Sequence, residues 1–156
     1  MPERASGEAR EVAAENALRK ATAGRRPGDD ELVLGVDTVV ALDGELYGKP
    51  ADVAAAERML RVLGGRTHAV VSGLALLGPG RREVATAMTE VTFRPLGEAL
   101  LRWYLATGEW HERAGAYAIQ GAGAALVSRV VGDYENVVGL PVATLIDLYP
   151  GLLSGG

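Results

Sequence analysis

One stretch constrains the fold of this chain more than any other. Leu32-Val-Leu-Gly-Val-Asp-Thr-Val-Val-Ala-Leu42 is rich in β-branched residues and apolar on both of its alternating faces, and a single carboxylate, Asp37, sits in its middle. A strand that is apolar on both sides belongs inside a sheet that is covered on both sides. Such a sheet needs helices to cover it, and helical patterns lie on either side of the run. From about Gly7 to Ala23, with Ser6 as N-cap, Ala14, Ala17, Leu18 and Ala21 recur at helical spacing. After the run, Asp52 caps a second helix, which places Val53, Ala56, Leu60 and Leu63 on one face and ends at Gly64.

Asp43-Gly44 is a tight-turn signal leading into a short return at Glu45-Leu46-Tyr47. Thr67–Leu77 and Glu83–Phe93 read as a long hairpin around Gly78-Pro-Gly80. Leu96–Thr107 reads as helix, Gly115–Ile119 and Ala124–Val131 as extended, and Pro141 as the first position of a last helix ending at Tyr149. Helices alternating with strands, with a hairpin among them, predict an α/β fold with a mixed sheet.

Length and composition exclude several classes of function. A chain of 156 residues is the size of one domain, and 48% hydrophobic against 23% charged residues is globular rather than disordered. A net charge of -4 without a basic block argues against a nucleic-acid backbone as partner. The absence of cysteine rules out disulfides and Cys-ligated metal, and fits a reducing, cytoplasmic setting. No apolar run approaches the roughly 18 residues of a membrane span, and Met1–Arg10 is polar, unlike a signal peptide.

The candidate site residues each read two ways. A buried carboxylate without a partner is costly, so Asp37 either satisfies backbone N–H groups or an exposed strand end, or is kept for a metal ion or a water. Magnesium prefers hard oxygen ligands, often one or two carboxylates with substrate phosphates. Lys49, in the stiff stretch Gly48-Lys49-Pro50, is a solvated surface lysine or a phosphate cation. Lys20 is a snorkelling helix lysine or a second such cation. His68, after Gly64-Gly65, is a catalyst, a metal ligand, or a strand-start histidine bonded locally; His111 is a loop residue. Gln120, in glycine-rich Gly115–Gly123, is a turn residue or a reader of a base edge. The stretch lacks both the Gly-Lys-Ser/Thr of a P-loop and the context of a dinucleotide fingerprint. Asp133 and Asn136 read as turn formers.

Several stretches together resemble the Maf family of nucleoside triphosphate pyrophosphatases. They are Gly35-Val-Asp-Thr-Val-Val40, Gly48-Lys-Pro-Ala-Asp52, Gly64-Gly-Arg-Thr-His-Ala-Val-Val-Ser-Gly73, Val91-Thr-Phe-Arg94, Ala114-Gly-Ala-Tyr-Ala-Ile-Gln-Gly121 and Gly132-Asp-Tyr-Glu-Asn-Val-Val-Gly-Leu-Pro141. Each alone is weak; all of them in the family's order are specific. The resemblance implies an elongated, twisted mixed sheet flanked by helices, like that of inosine triphosphatases, with a nucleotide cleft. It also implies a divalent cation, Mg²⁺ or Mn²⁺, and often a homodimer. It puts the family's catalytic acid, also a metal ligand, on Asp37, its motif lysines on Lys20 and Lys49, and its base-discriminating positions on Thr38 and Gln120. Asp-Thr with Ile-Gln-Gly is similar to the subgroup acting on dTTP and UTP.

The family's opening strand and Ser-x-x-Arg loop have no counterpart here, so the expectation is a single Maf-like domain over residues 1–156, truncated at its N-terminus relative to the family. The expected activity is hydrolysis of dTTP or UTP, and of modified pyrimidine nucleotides, to monophosphate and pyrophosphate. The rival is a non-catalytic nucleotide-binding regulator linked to cell division.

Overall fold

The computed structural model describes residues 2–26, 28 and 30–154, the side chains of 2–6 and 154 excepted. Helix α1 (Pro2–Gly24) leads into strand β1 (Val33–Leu42), and β2 (Glu45–Tyr47) turns back along it. Helix α2 (Val53–Leu63) is followed by the hairpin of β3 (Thr67–Gly78) and β4 (Arg81–Phe93), then α3 (Glu98–Ala106). Two 3-10 turns, Ala114–Ala116 and Ala122–Leu126, precede β5 (Val127–Val131). The short helices α4 (Tyr134–Val138) and α5 (Val142–Leu148) and a last 3-10 turn close the described chain. No helix among the described residues is long and apolar enough to cross a membrane.

The α/β expectation holds, with helices against an elongated sheet ordered β2-β1-β3-β4-β5. Each described pairing is antiparallel, where a mixed sheet was expected. The connections explain it. β1 passes to β2 through the two-residue turn Asp43-Gly44, with φ of 52° and 81°, and β3 passes to β4 through Pro79-Gly80; turns that short join antiparallel neighbours. The crossover through α2 joins β2 to β3, which run the same way but on opposite sides of β1, so no parallel ladder forms.

The two faces of the sheet carry different cores. On one, Val40, Val70, Val91 and Phe93 pack with Leu60 and Leu63 of α2 and Leu101 and Tyr104 of α3. On the other lies α1, through Ala9, Ala13, Ala17 and Ala21, all fully buried. This row corrects the expected stripe of Ala14, Ala17, Leu18 and Ala21; Ala14 and Leu18 are only partly buried. The reason is the surface beneath. A Cβ on Gly35 would sit 2.1 Å from the Ala17 carbonyl oxygen, and one on Gly73 2.3 Å from that of Ala13. Helix and sheet thus touch backbone to backbone, which only the smallest residues permit. α1 also starts before Ser6, which therefore does not cap it.

Further differences lie in the last third. Gly115–Ile119 is not extended: Gly115 and Ala116 both take left-handed conformations, φ 71° and 70°, inside a 3-10 turn. Residues 134–138 form a helix where a turn was expected, because Asp133 caps it by accepting from the Glu135 N–H at 2.8 Å. Pro141 is the N-cap of α5 rather than its first helical residue.

Candidate active site

Asp37 points from β1 toward α1, on the same face as Gly35 and Val39. Its Oδ2 accepts from Asn16 at 3.0 Å and its Oδ1 from the Lys20 ammonium at 2.8 Å. Its partners are therefore side chains from α1, not backbone N–H groups. The carboxylate is 15% exposed and the ammonium 51%, so the pair sits at a mouth, with the lysine on the solvent side. Lys20 Nζ also donates to the Val36 carbonyl at 3.2 Å, which fixes it over the strand rather than along the helix. The close contact at Gly35 and Gly73 makes this reach possible.

The next residue, Thr38, faces the other side of the sheet. It shares a 2.8 Å hydrogen bond with Ser72, its cross-strand partner on β3. Lys49 is exposed in the loop after β2 and lies 3.4 Å from Glu112, an equally exposed partner held at φ 61°. Gln120 is exposed at the tip of the segment between the two 3-10 turns. These positions come from a helix, a strand and two loops, and they line one cleft of about 220 Å³. Asp37, Thr38, Lys20, Lys49 and Gln120 all border it, with Tyr117 and Arg113. Its mouth therefore sets Lys20, Lys49 and Arg113 against Asp37 and Glu112. Cations facing an open hollow suit a polyanion, and polar groups of both donor and acceptor type suit a base.

His68 is not among these residues. Its Nε2 is 2.7 Å from the Tyr117 hydroxyl, and its ring packs edge-on against Phe93 and Tyr117. Burial pushes the imidazole down to about 4, so it is neutral at neutral pH. It does not bond locally and does not itself line the cleft, but braces the cleft residue Tyr117 from inside the core. His111 is exposed in a loop, as expected.

Asn136 is corrected from a turn former to a buried linker. Its Nδ2 donates to the Val70 carbonyl at 3.0 Å and to Thr89 Oγ1 at 3.1 Å, tying α4 to β3 and β4.

Sequence reasoning missed Glu109. Its carboxylate accepts from the backbone N–H groups of Ala122 and Gly123 and from the Tyr104 hydroxyl, all at 2.9 Å. Desolvation pushes this carboxyl up, but those three donors outweigh it and hold it below the usual range. The only signal in the sequence was its place in Thr107-Gly-Glu109, a turn-like stretch just before the glycine-rich segment.

A family model described as Maf-like protein matches residues 1–151. A dTTP/UTP pyrophosphatase of Symbiobacterium thermophilum is 48% identical over 147 residues, covering 90% of this chain and 74% of that protein. Another of Bacillus cytotoxicus is 45% identical over 130 residues, covering 83% and 68%. A third, of Pyrococcus furiosus, is 43% identical over 118 residues, covering 76% and 62%.

Proposed function

The chain belongs to the Maf-like protein family, and on that premise we propose that it hydrolyses dTTP and UTP to the monophosphate and pyrophosphate. One observation carries the reading: residues far apart in the sequence, on α1, β1, the loop after β2 and the segment before β5, converge on a single cleft.

The chemistry follows from what each residue presents there. Asp37, an acceptor at the cleft mouth, orients a water for attack on the α-phosphorus and takes its proton. A bond forms from the water oxygen to that phosphorus, the bond to the α,β-bridging oxygen breaks, and pyrophosphate leaves with the electron pair. Lys20, already beside Asp37, neutralises charge on the phosphate under attack. Lys49 serves the outer phosphates: its pairing with Glu112 is exposed on both sides, and such pairs are weak enough to exchange for a phosphate. Thr38, fixed by Ser72, and Gln120 bear on the base.

A divalent cation fits only in a limited way. Among the described residues no group of three or more His, Asp or Glu side chains is arranged to hold one. Asp37 alone suits the mode in which Mg²⁺ is held by one carboxylate together with substrate phosphates. Held there, Mg²⁺ or Mn²⁺ supplies neutralisation of phosphate charge.

The test is pyrophosphate release over a panel of nucleoside triphosphates, run beside direct binding measurements. Asp37→Asn keeps the shape and removes the charge. Turnover of dTTP and UTP is expected to fall at least ~10²-fold, the low end for losing a general base, with binding and melting temperature retained. Near-wild-type turnover by the folded variant sinks the assignment, and binding without turnover by the unmutated chain sinks the activity.

A further inference from the structure

The segment 118–123 carries Gln120 to the cleft yet belongs to no strand or α-helix. Irregular backbone must still satisfy its N–H groups, and here one pair of side chains does so on both sides of Gln120. The Tyr104 hydroxyl oxygen accepts from the Ala118 N–H at 3.0 Å, and its O–H donates to Glu109 Oε1 at 2.9 Å. Glu109 Oε1 also accepts from the Gly123 N–H, and Oε2 from the Ala122 N–H, both at 2.9 Å. Within this bracket the Gly121 N–H donates to the Ala118 carbonyl at 3.2 Å, closing a turn with Gln120 at its third position. Gly121 lies flat on the carboxylate, where a Cβ would be 2.2 Å from Oε2. Tyr104 is fully buried on α3, so the bracket is anchored in the core.

Gln120 itself is exposed, and among the described residues its side chain makes no hydrogen bond. An amide that reads a base works only if its backbone is held, because a misplacement of about 1 Å is enough to lose a directed contact.

We propose that Glu109 is a positioning residue for base choice: its carboxylate, backed by Tyr104, fixes the backbone from which Gln120 meets the base. The proposal rests on the pyrophosphatase reading. It predicts that Glu109 governs which nucleotide is used more than how fast the phosphorus is attacked, since Asp37 stands on β1 with its partners on α1, outside the bracket.

The experiment compares E109Q, Q120A and the double variant by kcat/KM for UTP and for GTP. In E109Q one acceptor oxygen becomes an amide, so at least one of the Ala122 and Gly123 N–H groups loses its partner. The preference for UTP over GTP is expected to fall by about 10-fold or more, mostly through KM for UTP, with the amides of Ala122 and Gly123 exchanging faster with solvent. Added to Q120A, the same change is expected to alter the preference less than about 2-fold, since residues acting through one another are not additive. An unchanged preference in folded E109Q, or a loss fully additive with Q120A, overturns the proposal. If E109Q does not fold, Y104F takes its place, keeping the charge while removing the Ala118 acceptor; an unchanged preference there overturns it equally. If the unmutated protein releases pyrophosphate from no triphosphate, the pyrophosphatase reading fails and takes this proposal with it. A failure confined to the preference leaves turnover intact, so the two failures are distinguishable.

Discussion

Against α1 the sheet presents Gly35, Gly73 and Ala75, and against α2 and α3 it presents Val40, Val70, Val91 and Phe93. The first face is packed by bringing backbones into contact, the second by filling space with large side chains. The difference bears on the cleft. Close contact leaves α1 no room to shift, and that precision holds Asn16 and Lys20 over Asp37. The large-residue face keeps its helices at arm's length, and the cleft opens along that face, floored by Val40, Val70 and Tyr117. One face holds Asn16 and Lys20 in register with Asp37; the other lines most of the hollow beside them.

If that contrast is right, removing atoms should hurt most on one face and adding them on the other. The largest effect is expected on the crowded large-residue side. Phe93 is 1% exposed and touches both His68 and Tyr117 edge-on, at 5.0 and 4.7 Å between ring centroids. Phe93→Ala is expected to cost ~3–5 kcal/mol, the usual range for emptying an aromatic site, in chemical denaturation. A cost below 1 kcal/mol would mean this face repacks freely.

His68 gives the same face a dependence on pH. The folded imidazole titrates at about 4 against 6.5 for the free one, so between those values the unfolded chain binds the proton and the folded one does not. Stability is full above pH 6.5, falls as pH drops through the window, and levels off below about 4. At its fullest the loss is roughly 3 kcal/mol. Denaturation measured from pH 7.5 to 4.5 should slope less in His68→Gln than in the unmutated protein; equal slopes would remove His68 from the account.

On the α1 face the expected effect is smaller in stability and sharper in function. Gly73→Ala adds one methyl against the Ala13 backbone, opposite Asp37 in the register. Overpacking of this kind costs ~1–3 kcal/mol, and because α1 must lift away, turnover is expected to fall with it. A variant that melts and turns over like the parent would show that the contact is not tight.

The smallest effect on stability is expected at Lys20. Its ion pair with Asp37 is half exposed, and such pairs contribute below ~1 kcal/mol. Lys20→Met should leave melting nearly unchanged while slowing pyrophosphate release, which separates a residue kept for chemistry from those kept for packing. A variant that loses stability but not activity would reverse the assignment.

Much of this could be read from the chain beforehand. The hairpin around Pro79-Gly80, the turn at Asp43-Gly44 and the cap at Asp52 all follow local rules, and each forms where those rules put it. Local rules failed where the deciding partner is remote. The buried row of α1 is set by two glycines on strands it meets only in the fold, so helical periodicity alone found Ala17 and Ala21 but put Ala14 and Leu18 in place of Ala9 and Ala13. Ala116 takes φ 70°, which no propensity of alanine indicates. Asn136 and Glu109 look like turn residues until the groups they bind, 66 and 13 positions away, are brought beside them.

The sequence by itself determined the strand carrying Asp37, the kinds of side chain available to a phosphate and a base, and the order of elements that makes an α/β fold. These depend on periodicity, turn chemistry and motif, which are written within a few residues of one another. Only the tertiary structure decided that Asp37 is met by Lys20 and Asn16, that His68 is a neutral core residue, and that one acidic side chain holds the loop of Gln120. Each of those is a matter of a few ångströms between residues distant in the chain, where burial and hydrogen bonding, rather than residue type, settle the role.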